Sequence, residues 1–223
     1  MMKSFSALLL TVSLTLPAFA GFSLGQTRVI YDEKDKQATL QLINSGQDEH
    51  YLVQAWIESR DNKKSQDFMI TPPVFKFYPK TQNTLLIKAI SDNSPSDRES
   101  LYFVNVKAIP ATDSTIKNKI SFATKSIIKL IYRPSSLNAT DAINARYKLK
   151  IQKKDGNIVV TNPTPYIVNI GYFYVNGKNE DIGYLLPFSE QTIQKGSSGK
   201  KDVIKFNAIN DYGGASDFLI VNI

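Results

Sequence analysis

Cysteine is absent from these 223 residues, and histidine and tryptophan occur once each. Without cysteine no disulfide can staple the fold, and zinc–thiolate centres and cysteine nucleophiles are excluded. Stability must come from the core, which a chain of this length can bury without help. The one histidine, His50, ends the polar turn Gly46-Gln47-Asp48-Glu49-His50. That is the setting of a surface residue, and no Ser/His/Asp arrangement can be built around it. Metal ligands do not cluster, and the carboxylates are scattered singly over loops, so neither a metal site nor a paired-carboxylate site is expected. Tyr212-Gly213-Gly214 has turn spacing but no helix after it, which removes a phosphate loop. An enzyme is therefore not expected, and no cofactor is implied.

Long hydrophobic runs are also missing. The longest, from Ala7 to Leu16, is too short to span a bilayer. Lys3 precedes it and Ala18-Phe19-Ala20 follows, the small-x-small pattern of a secretory cleavage site. Residues 1–20 are thus expected to be a signal peptide removed before Gly21, giving an exported chain with no membrane insertion. The full chain carries 27 Lys+Arg against 20 Asp+Glu. Loss of Lys3 leaves an excess of six positive charges. In an exported protein such an excess suits an acidic partner surface, an anionic envelope or plain solubility better than nucleic acid.

What is present is strand after short strand. Gln37 to Ile43 alternates, with Ala38, Leu40 and Leu42 on one face, and Asn44-Ser45-Gly46 is turn chemistry. Tyr51 to Glu58 carries Trp56. Thr71-Pro72-Pro73 marks a fixed bend before Val74 to Tyr78, and Thr84 to Ala89 follows. Leu101 to Ile109 alternates again, with Leu101, Phe103 and either Val104 or Val106 as core candidates. Ile120 to Tyr132 reads as one long strand with bulky groups on alternate residues, suited to a core or to an edge that pairs with another chain. Arg133-Pro134-Ser135-Ser136-Leu137 breaks the pattern and predicts a domain boundary. Beyond it, Tyr147 to Gln152 and Asn157 to Thr161 flank the hairpin signal Lys154-Asp155-Gly156. Tyr166 to Val175, Val203 to Ile209 and Asp217 to Ile223 complete a second, smaller β domain. No stretch of ten or more residues holds a capped helical period. The expectation is all-β, with sandwich domains at 21–136 and 137–223.

Four blocks of this sequence resemble the PapD-like periplasmic chaperones of pilus and fimbrial assembly. They are Thr27-Arg28-Val29-Ile30-Tyr31; Ser96 to Leu101 with Asn105 to Pro110; Ile128 to Pro134; and Asn162-Pro163-Thr164-Pro165-Tyr166 with Ile209 to Gly214. They stand in the family's order and extend from near Gly21 almost to the C-terminus. The resemblance implies two immunoglobulin-like domains at an angle with a cleft between them. It implies a chaperone that binds fimbrial subunits one to one, stabilises them by lending a strand, and delivers them to an outer-membrane usher from the periplasm.

The resemblance also assigns residues. Arg28 and Lys129 match two cleft cations that anchor the C-terminal carboxylate of a subunit; two cations converging on one carboxylate make charge-assisted hydrogen bonds and fix the register of the strand it ends. Ile120 and Phe122 match donor-strand residues that fill a subunit's open groove, and Thr124 stands where the family usually has a larger apolar residue. By alternation Lys129 has the opposite parity from Ile120 and Phe122, so either the two sets use different faces or a bulge re-aims one. Glu99, Arg133 and Asp211 match an inter-domain ion network that fixes the angle between the domains. The lack of cysteine and the short Ala111 to Lys119 segment resemble the family's short-loop branch. Whether the free protein caps its own edge by self-association is left open. The rival reading is a structural fimbrial or adhesive sandwich subunit, which the two domains and the lack of an N-terminal donor arm disfavour.

Overall fold

A computed structural model of the chain describes residues 21–91, 93–111, 120–193 and 201–223. The expected signal segment 1–20 and most of the short loop 111–119 lie outside the described residues. The described residues of the first domain form nine strands: β1 Phe22–Leu24, β2 Arg28–Asp32, β3 Ala38–Asn44, β4 Tyr51–Ser59, β5 Phe68–Thr71, β6 Val74–Phe77, β7 Thr81–Ala89, β8 Ser100–Pro110 and β9 Thr124–Arg133. They form two sheets, ordered β1-β3-β7-β5 and β2-β9-β8-β4-β6. All pairings are antiparallel except β2 with β9, which is parallel. The expected face of Ala38, Leu40 and Leu42 packs inward, with Leu40 and Leu42 sealed in the core beside Val53, Leu85, Ile87, Val104, Val106 and Leu130.

The second domain begins with the six-residue helix α1 Ala139–Asn144, capped by the Asn138 side chain accepting from Asp141 N at 2.9 Å. A 3-10 turn, Ala145–Lys148, follows. Eight strands follow among the described residues: β10 Lys150–Lys154, β11 Asn157–Asn162, β12 Val168–Val175, β13 Lys178–Asn179, β14 Tyr184–Leu185, β15 Ser189–Ile193, β16 Val203–Ile209 and β17 Leu219–Asn222. One sheet is β10-β11-β15. The other is β13-β12-β16-β17, with β14 also pairing β12. Asp155 and Gly156 join β10 to β11 with φ of 51° and 77°, the two left-handed residues that a tight hairpin needs. Phe173, Val175, Ile158, Val160, Ile204 and Phe206 form a separate core.

Three sequence expectations change. Tyr147 and Lys148 belong to the 3-10 turn, so the first strand of the second domain starts at Lys150 rather than Tyr147. Leu101 and Phe103 do not enter the first domain's core; Tyr102, Val104 and Val106 do. Leu101 instead joins Ile131 and Ile167 in a third cluster, which Ile30, Phe103, Tyr184 and Leu186 flank. That cluster draws on both domains and packs them together. Alternation tells which residues share a face, but not whether the face meets its own domain's core or the neighbouring domain. The long strand also starts later than expected, at Thr124, leaving Ile120 and Phe122 before it.

Candidate functional site

One arginine is buried at the domain boundary. Arg133, at the end of β9 and 2% exposed, donates from Nε to Glu99 Oε1 at 2.7 Å. Its Nη1 and Nη2 reach Asp211 Oδ2 and Oδ1 at 2.8 and 3.2 Å, a two-pronged pair across the boundary. Glu99 Oε2 accepts from the Ile167 N–H of the second domain at 2.7 Å. Burial pushes the Glu99 carboxyl up, with Arg133 and the Ile167 N–H opposing it, while the hydrogen bond to Asp211 and the charges of both carboxylates hold the Arg133 guanidinium charged against the burial that opposes them. The structure therefore brings Glu99, Arg133 and Asp211 into contact. The loop after Ile209 places Asp211: Asn210 Oδ1 accepts from Tyr212 N and Gly214 N, and Gly213 has φ of 86°. A Cβ at Gly213 would stand 2.6 Å from Thr27 Oγ1, so glycine lets this loop close against the chain entering β2.

Asn162 organises the other side. Its Nδ2 donates to Tyr166 O and Leu186 O at 2.7 and 2.8 Å, and its Oδ1 accepts from Thr164 N and Oγ1. The Asn162 to Tyr166 turn is thereby fixed as the frame from which β12 starts.

Arg28 and Lys129 are register partners on the parallel strands β2 and β9, so their side chains leave the sheet side by side. Lys129 Nζ donates to Asn169 Oδ1 at 2.7 Å and stands 4.6 Å from the centroid of the Tyr184 ring. Among the described residues Arg28 Nη1 reaches only the Ile209 carbonyl, at 3.4 Å, and its Nε is buried with no hydrogen-bond partner. Burial, followed by the charge of Arg28, lowers the Lys129 ammonium to about 8. Burial likewise lowers Arg28, with Asp211 opposing. Two adjacent cations, partly desolvated and short of acceptors, form a site suited to an incoming anion.

The parity question resolves as two faces. β9 pairs with β8 in unbroken register from Tyr132 to Thr124, so no bulge re-aims its side chains. Leu130 and Tyr132 face the first domain's core, with Ile128 packed against it. Lys129, Ile131 and Arg133 face the second domain. β2 covers the other edge of β9 only from Lys129 to Arg133. Among the described residues no strand pairs with that edge from Thr124 to Ile128. Beyond it, Ile120 and Phe122 are each 80% exposed, and Thr124 is exposed at the strand's start. Ile127, on the face of Lys129 and Ile131, is 55% exposed beside this open edge.

Sequence reasoning missed Asn169, Tyr184 and Ile127. Asn169 left a signal: it is a lone amide within the apolar run Ile167-Val168-Asn169-Ile170.

Comparison with known proteins agrees with this geometry. Residues 21–138 match the family described as pili and flagellar-assembly chaperone, PapD N-terminal domain. Residues 144–218 match the pili assembly chaperone PapD, C-terminal domain. The chaperone protein FocC of Escherichia coli is 39% identical over 203 residues, covering 90% of this chain and 89% of FocC. The crystal structure of the periplasmic chaperone SfaE superposes with a TM-score of 0.77 at 36% identity, covering 90% of this chain and 98% of SfaE. A chain of the Salmonella enterica complex between the SafA pilin and the SafB chaperone gives a TM-score of 0.81 at 28% identity, covering 93% of this chain and 99% of that one.

Proposed function

Since the chain belongs to the PapD-like family of non-enzymatic chaperones of the chaperone–usher pathway, we propose that it captures fimbrial subunits by their C-terminal carboxylates and lends them β9. The observation that carries this reading is the placement of Arg28 and Lys129 at the inner end of an unpaired strand edge. β2 runs parallel to β9 and starts at Arg28. A subunit strand that takes up the open edge from Thr124 to Ile128 in the same direction ends with its carboxylate at the two cations. Backbone hydrogen bonds then supply affinity and alternate side chains supply specificity. Ile120 and Phe122 are free to enter an incomplete subunit core, each large side chain withdrawn from water contributing roughly 1.5–3 kcal/mol.

The same reading makes the Glu99–Arg133–Asp211 network the device that sets the angle between domains 21–136 and 137–223. It places the mature protein in the periplasm, cut before Gly21, where it passes one subunit at a time to an outer-membrane usher. The short 111–119 segment and the lack of cysteine support membership of the short-loop branch. The alternative of a fimbrial subunit gives way to the family assignment.

The test is co-expression with the neighbouring fimbrial subunits and co-purification from periplasm. Wild-type protein is expected to retain subunits and protect them from proteolysis, whereas folded Lys129→Glu retains none. A Lys129→Glu protein that still protects a subunit removes the anchoring role.

A further inference from the structure

Two cross-strand rows face each other at the domain boundary. In the first domain, Arg28 on β2, Lys129 on β9 and Phe103 on β8 are register neighbours. In the second, Ile209 on β16, Asn169 on β12 and Tyr184 on β14 are register neighbours. The rows meet in order. Arg28 reaches the Ile209 carbonyl, Lys129 reaches Asn169 Oδ1 and the Tyr184 ring face, and Phe103 and Tyr184 flank the shared apolar cluster.

We propose that Asn169 and Tyr184 are positioning residues of the carboxylate anchor, holding the Lys129 ammonium charged and aimed beside Arg28, so that the anchor is complete only with both domains in place. This rests on the anchoring role given above to Arg28 and Lys129.

The chemistry of the partners carries the argument. A lysine on a flexible stem next to a guanidinium is repelled, and without a tether it turns its head to water. Asn169 supplies an acceptor with no charge. It occupies one of the three ammonium donors without neutralising the cation, and leaves the others for an arriving carboxylate. The Tyr184 face attracts the cation in the same way, through its ring electrons and not through a competing anion. A carboxylate at position 169 would instead occupy the site itself. An asparagine among Val168 and Ile170 at a nearly buried strand position is costly unless bonded, and the Lys129 bond is what satisfies it. The groups facing Lys129 are Arg28 from β2, Phe103 from β8, Asn169 from β12 and Tyr184 from β14. None is a carboxylate, and Asp211 acts on the neighbouring Arg28.

The experiment is an NMR titration of the mature chain carrying isotope-labelled lysine, with the Lys129 signal assigned by its loss in Lys129→Met. Removing the acceptor by Asn169→Leu is expected to lower the Lys129 midpoint by about one pH unit, and Asn169→Asp to raise it by about as much. Tyr184→Leu lowers it, while Tyr184→Phe, which keeps the ring, leaves it in place. A Lys129 midpoint unmoved in Asn169→Asp overturns the proposal, as does an unmoved midpoint in folded Asn169→Leu. Should Asn169→Leu fail to fold, the opposite-signed Asn169→Asp shift decides. Capture by the same variants separates the two readings. An unmoved titration removes the positioning role but leaves the anchor. Capture surviving Lys129→Glu removes the anchor but leaves the titration shifts.

Discussion

Burying an ammonium group beside a guanidinium disfavours its charged form, and Lys129 carries that cost in the free protein. Its folded pKa of about 8 lies below the ordinary 10.5. The cost is therefore complete below about pH 8 and is relieved between 8 and 10.5, where the folded chain has released a proton that the unfolded chain still holds. Lys129→Met removes this cost but leaves Asn169 Oδ1 without its donor, so the pH slope rather than the absolute stability reports the ionisation: relative to wild type, Lys129→Met should lose on the order of 1–2 kcal/mol between pH 7 and pH 10, after screening at this partly exposed site, as read by urea unfolding. A stability difference between the two proteins that stays constant from pH 7 to pH 10 would show that folding leaves the Lys129 ionisation unperturbed. On the proposed anchoring role, the same ionisation should govern capture. Only the charged form pairs with a carboxylate, so subunit affinity should fall as pH rises through 8, and binding near pH 8.5 should take up a proton. Calorimetry in two buffers of different ionisation heat measures that uptake; equal heats and a flat affinity from pH 7 to 9.5 would rule out the coupling. Arg28 and Lys129 stand out in the sequence as cations within strands, but their adjacency does not. It depends on a parallel pairing between the two ends of a domain, which no local spacing encodes.

β9 divides its side chains between two domains and its edges between two partners. Its alternation is legible in Ile128, Leu130 and Tyr132. Its start at Thr124 is not, because no glycine or proline precedes it; the limit comes from the partner strand. β8 pairs with β9 as far as Ala108 and ends at Pro110, which has no N–H to extend the ladder. Among the described residues no strand pairs with residues 120–123, and Ile120 and Phe122 stand exposed. Being so exposed, both should accept substitution with little effect on folding, within about 0.5 kcal/mol. Ile120→Asp and Phe122→Asp should each weaken subunit capture by roughly 10- to 100-fold, and more together, the amount expected when one large side chain no longer leaves water. Thr124→Val should strengthen capture several-fold if that position enters the groove. Titration of a purified subunit complex against each variant measures the series, and unchanged affinity in Phe122→Asp would remove the donor role from this element.

At the scale of the whole molecule, two domains share one ionic centre and one apolar cluster. The domain order, the sandwich architecture and the boundary motif around Arg133 are legible because turns and alternation repeat along the chain. The cluster of Leu101, Ile131 and Ile167 is not, since an alternating strand looks the same whether its outer face meets water or another domain. Arg133 separates two carboxylates, and removing it leaves Glu99 almost fully buried with its charge uncompensated. Breaking a buried pair in this way costs about 3–5 kcal/mol. Arg133→Met should therefore be destabilised by that order at pH 7. The sign of its pH dependence follows from Glu99, whose folded pKa already lies above the ordinary carboxylate value because of burial. Such a group contributes stability when protonated and loses it as pH rises through its folded pKa. Removing Arg133 moves that pKa higher still, so part of the lost stability should return on acidification to about pH 5. Asp211→Asn keeps the Glu99 pair and should lose less stability. Because it weakens the arm of the network that joins Arg133 to Asp211 across the boundary, it should broaden the distribution of domain orientations seen by small-angle scattering. A scattering profile identical to wild type, together with undiminished capture, would mean that the apolar cluster and the remaining cross-boundary hydrogen bonds suffice and that the Arg133–Asp211 pair does not set the angle.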